Sequence, residues 1–144
     1  MFFRKKKQLE DKLNPLLQNL YMKVNAIMKM YTEFTWMEQF QYYVLIATYY
    51  CVKHSLNESE RKFFKDRLYT STLFSDMNSP ARGQALIEYD RLNRVFCTFM
   101  LENGFRNLEP EIDYIFGEVD AAFPELHRSG DTETKNKIIQ ILSE

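Results

Sequence analysis

Apolar positions recur at helical spacing along almost the whole chain, and one stretch is apolar all round. Gln39 to Val52 carries no charge in fourteen consecutive residues. At about 3.6 residues per turn, Trp36, Phe40, Tyr43, Val44, Ala47 and Cys51 share one face, while Leu45, Ile46 and Val52 fall elsewhere on the circle. A helix apolar on every side is a buried helix. The segment of about 34–54 is therefore expected to be the central helix, with Glu38, Tyr42, Tyr49 and Lys53 as its only water-facing stripe. Spanning a bilayer takes about twenty apolar residues, more than this run supplies.

The flanking stretches predict the helices that wrap it. Leu13, Leu17, Leu20, Val24, Ile27 and Tyr31 alternate spacings of four and three, a helical seam. Asn14-Pro15 interrupts its first turn, and Asn as a cap before Pro predicts that the main helix starts there. Residues 3–13 are then a shorter helix or a kinked extension. A break near Thr32 to Thr35 precedes the central helix. Asn57 with Glu60 three residues on is a capping box opening a helix that carries Phe63, Phe64 and Leu68. Ser79-Pro80 opens another, lined by Leu92, Val95, Phe96, Phe99 and Met100 and stopped by Gly104. Glu109-Pro110 starts the next, with Ile112, Ile115, Phe116, Val119 and Phe123 inward and Pro124 at its end. Asp131 caps a last helix whose Ile138, Ile139, Ile141 and Leu142 pack back.

The fold class that follows is all-α: a single-domain bundle of five to six helices around a buried central helix. Residues 1–144 form one helical domain, with 1–8 as a frayed basic and aromatic N-terminal segment. Totals agree. With 144 residues a core forms without staples. A composition 45% hydrophobic and 27% charged argues against disorder. Four Gly and four Pro favour helices over a loop-rich β fold. Cys51 and Cys97 sit in apolar helical patterns and read as reduced core thiols, although the sequence leaves a disulfide between them open. The charged start, Arg4 to Lys7, has no apolar region after it, so no export signal is expected and the expected compartment is the cytoplasm.

Candidate chemistry is sparse. Neither histidine fits Glu-x-x-His, since Cys51 precedes His54 by three and Pro124 precedes His127 by three. Cys51, His54 and Cys97 make a poor zinc set, and a histidine in a last helical turn is favoured by the helix dipole alone. The glycines, at 83, 104, 117 and 130, draw no phosphate-cradling loop. Both cysteines lie where a thiolate is disfavoured. The expectation is a chain that is not an enzyme and that uses no cofactor and no metal.

Charge is distributed unevenly. The three successive thirds carry +3, +2 and −6. Between Cys97 and His127 one cation, Arg106, faces seven acids. Helix-dipole chemistry accounts for Glu109 and Glu111 but not for Glu118 and Asp120. The expected function is non-catalytic protein binding, in its most specific form a small cytosolic inhibitor or immunity-type protein neutralising a basic partner through this acidic helix. The expected partner-binding residues are Asp113, Glu118, Asp120, Tyr42 and Tyr49, the tyrosines because they lie one heptad apart on the polar stripe and tyrosine is enriched in interface hot spots. One alternative is a peripheral membrane adaptor using Phe2 and Phe3 as wedges and Arg4, Lys5, Lys6 and Lys7 as an electrostatic clamp. Another is an apolar-ligand pocket among the aromatic helices. A four-charge cluster on a chain of net charge −1 is a small footprint for nucleic acid. The oligomeric state is not readable from the sequence.

Overall fold

Thr35 opens the helix on which the others pack. Its hydroxyl accepts the Glu38 N–H at 3.1 Å while the Glu38 carboxylate accepts the Thr35 N–H at 3.1 Å, a reciprocal cap that starts α2, Trp36–Lys53. The computed structural model describes residues 2–71, 78–105 and 107–144, apart from the side chains of Phe2, Phe3 and Ser79. These residues form an all-α bundle: α1 (Phe2–Met28), α2, α3 (Glu58–Thr70), α4 (Ser79–Asn103), α5 (Glu109–Ala122) and α6 (Thr132–Ser143), with a 3-10 turn at Pro124–Leu126. The polar stretch after Thr70 falls partly on residues 72–77, outside the described residues.

Four helices, α1, α3, α4 and α5, pack on α2, and α6 closes against α1 and α5. Apolar burial drives this, with Phe40, Val44, Leu45 and Ile46 of α2 meeting Leu20, Phe64, Leu92, Phe96 and Phe116 in one core. Polar groups of α2 then fix direction, each tying it to a different element. Tyr43 donates its hydroxyl to the Phe64 carbonyl of α3 at 2.7 Å. Asn93 of α4 donates to the Thr48 hydroxyl at 2.8 Å. Tyr50 bonds Asn19 of α1.

Several sequence expectations change in detail. The break at Asn14-Pro15 does not start a new helix: α1 runs through it. Proline inside a helix costs about 3 kcal/mol. Pro15 itself is exposed, while Leu13 and Leu17 on either side are buried, each worth about 1.5–3 kcal/mol. The seam stops at Met28, so Tyr31 lies in the following loop. The α4 cap is Asn78 and not Ser79. Its side-chain oxygen accepts the Ala81 N–H at 3.0 Å, which moves Pro80 to the second helical position. The expected caps at Asn57 and Asp131 and the glycine stop at Gly104, φ 80°, stand where the sequence indicates.

Candidate functional site

The five expected partner-binding residues separate into two groups. Tyr42, 0% exposed, and Tyr49, 5% exposed, are buried, and so is Glu38. The expected water-facing stripe of α2 therefore reduces to Lys53 at its end. The reason is architectural, since the four surrounding helices bury α2 from Phe40 to Cys51, whereas Trp36 in its first turn, expected on the buried face, is 53% exposed. Tyr42 meets the Tyr31 hydroxyl at 3.5 Å. Burial first, and Tyr31 beside it second, hold the Tyr42 hydroxyl well above the ordinary tyrosine range. Neither tyrosine presents a surface to a partner.

What Tyr42 belongs to is a polar lock at one end of the bundle. Arg128 donates from Nε to Glu38 Oε2 at 2.9 Å, donates from Nη2 to the Glu33 carbonyl, and lies over the Tyr31 ring at 3.9 Å. Asp120 joins the same lock. Its carboxylate accepts the backbone N–H of Arg128 at 2.7 Å and of Ser129 at 3.1 Å. Burial raises the Asp120 pKa, but hydrogen bonds from the Ser129 side chain and from these two amides outweigh it and bring the carboxyl below its ordinary range. Asp120 thus organises its own chain's 127–130 loop, and His127 there takes a left-handed φ of 45°. The sequence reading missed Arg128 and Glu38. The Thr35-x-x-Glu38 spacing of a capping box was the readable signal for one of them.

Asp113 and Glu118 do reach the surface of α5, on its two flanks. On the α6 side, Lys135 lies 2.6 Å from Asp113 and 3.9 Å from Glu109. The hydrogen bond to Asp113, ahead of any other cause, holds the Lys135 ammonium above its ordinary range. On the α4 side, Arg91 bonds Glu88 through Nε at 3.0 Å and the Tyr114 hydroxyl at 2.7 Å, and stands 4.0 Å from Glu118. The Glu88 bond first, and Tyr114 second, raise the Arg91 pKa. Each cation is thus shared by two carboxylates.

The basic start of the chain lies elsewhere. Phe2 and Phe3, the expected membrane wedges, have side chains outside the described residues, whereas Arg4 to Lys7 are exposed on the first turns of α1. Lys5 and Lys6 line a surface groove of about 810 Å³ between α1 and α3, whose charged walls differ from the expected apolar pocket among aromatic helices.

Cys51 and Cys97 are free thiols, and burial first of all pushes the Cys51 thiol up to about 12. Among the described residues no three His, Cys, Asp or Glu side chains gather closely enough to hold a metal ion. No helix of the described residues is long and apolar enough to cross a membrane. Comparison with protein-family models, with curated proteins and with solved structures finds no match.

Proposed function

We propose that this chain is a non-catalytic protein-binding module that docks a basic partner on the outer side of α5, as a small inhibitor or immunity-type protein would. The observation that carries the reading is the sharing of Lys135 by Glu109 and Asp113, and of Arg91 by Glu88 and Glu118. Four carboxylates against two cations leave a surplus of negative charge on each flank of α5, one shared with α6 and one with α4, and such a surplus speeds encounter with a positive surface. Asp113, with its side chain 51% exposed, and Glu109 are the accessible members on one flank, and Glu118 on the other. Asp120, Tyr42 and Tyr49 drop out of the docking surface because they are used inside the fold. The Cys51 thiol, protonated at neutral pH, offers no nucleophile, which favours binding over catalysis. Two free thiols fit a reducing compartment, the cytoplasm.

The test is a pull-down from the native lysate with immobilised wild type and with the double reversal Asp113→Lys, Glu118→Lys. A basic protein retained by the wild type, released by salt and lost from the double variant supports the reading. An identical set of retained proteins removes the α5 surface from consideration.

A further inference from the structure

The α1–α3 groove has a charge pattern that the α5 reading does not use. Two ion pairs brace it: Lys12 with Glu60, and Arg67 with Glu10 at 3.2 Å. Those four charges cancel. What is left around the groove is Lys5 and Lys6 on α1 and Lys62 on α3, against Asp66 alone. All three lysines are exposed. Leu9 and Phe63 supply apolar lining between them, and the Arg67 guanidinium lies 4.8 Å over the Phe63 ring, which fixes that side of the wall. The volume, about 810 Å³, lies within the range of about 300–1,000 Å³ usual for binding clefts.

We propose that this groove is a second docking site, which takes a short acidic segment of another protein, with carboxylates on Lys5, Lys6 and Lys62 and a bulky apolar side chain against Leu9 and Phe63. The α3 residues along the groove run from Asn57 to Thr70. That is about 20 Å at 1.5 Å per residue, the reach of about six extended residues. An anionic bilayer matches less well. It is flat, so it would touch the rim lysines and leave the apolar lining uncovered. The site is independent of the α5 surface, so either can fail without the other.

Fluorescence anisotropy tests it with a labelled peptide, Glu-Leu-Glu-Glu-Leu-Glu, and the same peptide with Lys in place of Glu. The expected result is saturable binding of the acidic peptide, weakened by added salt, with affinity reduced at least about tenfold in the triple variant Lys5→Glu, Lys6→Glu, Lys62→Glu. Glutamine at the same three positions gives a smaller loss and serves if the reversal fails to fold by circular dichroism. Asp113→Lys with Glu118→Lys leaves peptide binding unchanged, which separates this site from the α5 reading. No saturable binding, equal binding of the lysine peptide, or an unaffected triple variant would overturn the proposal. So would co-sedimentation with phosphatidylserine vesicles that the triple variant loses while the acidic peptide does not bind, since that outcome gives the lysines to a membrane.

Discussion

Arg128 and Glu38 stand 90 residues apart in the chain and meet at 2.9 Å, with side chains only 12% and 1% exposed. The pair joins the start of the central helix to the loop after α5, and Arg128 reaches on to the Glu33 carbonyl and the Tyr31 ring. Desolvating two charges offsets most of what their attraction returns, so such a pair is worth little against an apolar replacement. Removing one partner is different, because it strands the other charge.

The first prediction follows from that asymmetry. Arg128→Met or Glu38→Leu alone should lower the urea-unfolding free energy by about 3–5 kcal/mol. The double variant should lose less than either single one. Glu38→Leu also removes half of the α2 capping box, worth about 1 kcal/mol, so the double variant stays somewhat below wild type. Additive losses would mean that the two residues act separately.

Pro15 carries the second. It sits exposed in the interior of α1, where it has no N–H to give to the Asp11 carbonyl. Pro15→Ala should stabilise the protein by about 1–3 kcal/mol, read as an upward shift of the urea midpoint at unchanged slope. A chain that began its main helix at Asn14-Pro15 would gain nothing, because proline is favoured in a first turn.

The Arg128–Glu38 pair and Pro15 also mark how far the sequence is legible. Helix positions could be read because their causes are local: apolar spacing at 3.6, Asn57 with Glu60, Gly104, Asp131. The core followed from the same periodicity, and Phe64, Leu92, Phe96, Ile112 and Ile115 all lie where it put them. The site was far less legible. Polarity assigned Glu38, Tyr42 and Tyr49 to water, yet what buries them is a partner distant in the chain, Arg128 for Glu38 and the packing of four helices for the tyrosines. Asp120 read as a surface acid because a carboxylate that holds a loop has the same composition as one that waits for a ligand. Only the geometry of the 127–130 turn separates the two.

Asp120 and Asp113 should accordingly behave differently, and that contrast is the third prediction. Asp120→Ala strips two backbone N–H groups of a charged acceptor and should cost about 1.5 kcal/mol, the lower end for charged hydrogen bonds because the site is partly open to water. Asp113→Ala removes only an exposed pair with Lys135 and should stay within about 0.5 kcal/mol. The pH dependence separates them too. The Asp120 carboxyl is held below its ordinary range, so its contribution is complete above about pH 4 and is lost as pH falls through the folded-state value. The gap between wild type and Asp120→Ala should therefore close on acidification. Equal losses for the two variants at pH 7 would return Asp120 to the docking surface.

Glu111 gives the opposite slope. It lies in the first turn of α5 and is buried, and its carboxylate meets no side-chain donor or cation among the described residues; its own backbone N–H, the one donor close by, lowers the pKa less than burial raises it. Burial raises its pKa above the ordinary value. An ionised carboxylate there would lack both water and a counter-charge, so the folded protein keeps this proton to higher pH than the unfolded chain, which releases it from about pH 4.3 upward. The stability that goes with this proton is complete below that pH and drains away as pH rises toward the folded-state value, at about 1.4 kcal/mol per pH unit crossed. Glu111→Gln keeps the shape and has no proton to lose. Thermal melts of the two proteins should converge near pH 4, and the variant should become the more stable as pH is raised above the unfolded-state value. All other titrating groups are common to both, so they cancel in the difference. Parallel melting curves across that range would show that Glu111 reaches water or a partner in solution, and the burial of the α5 N-terminus against the core would have to be redrawn.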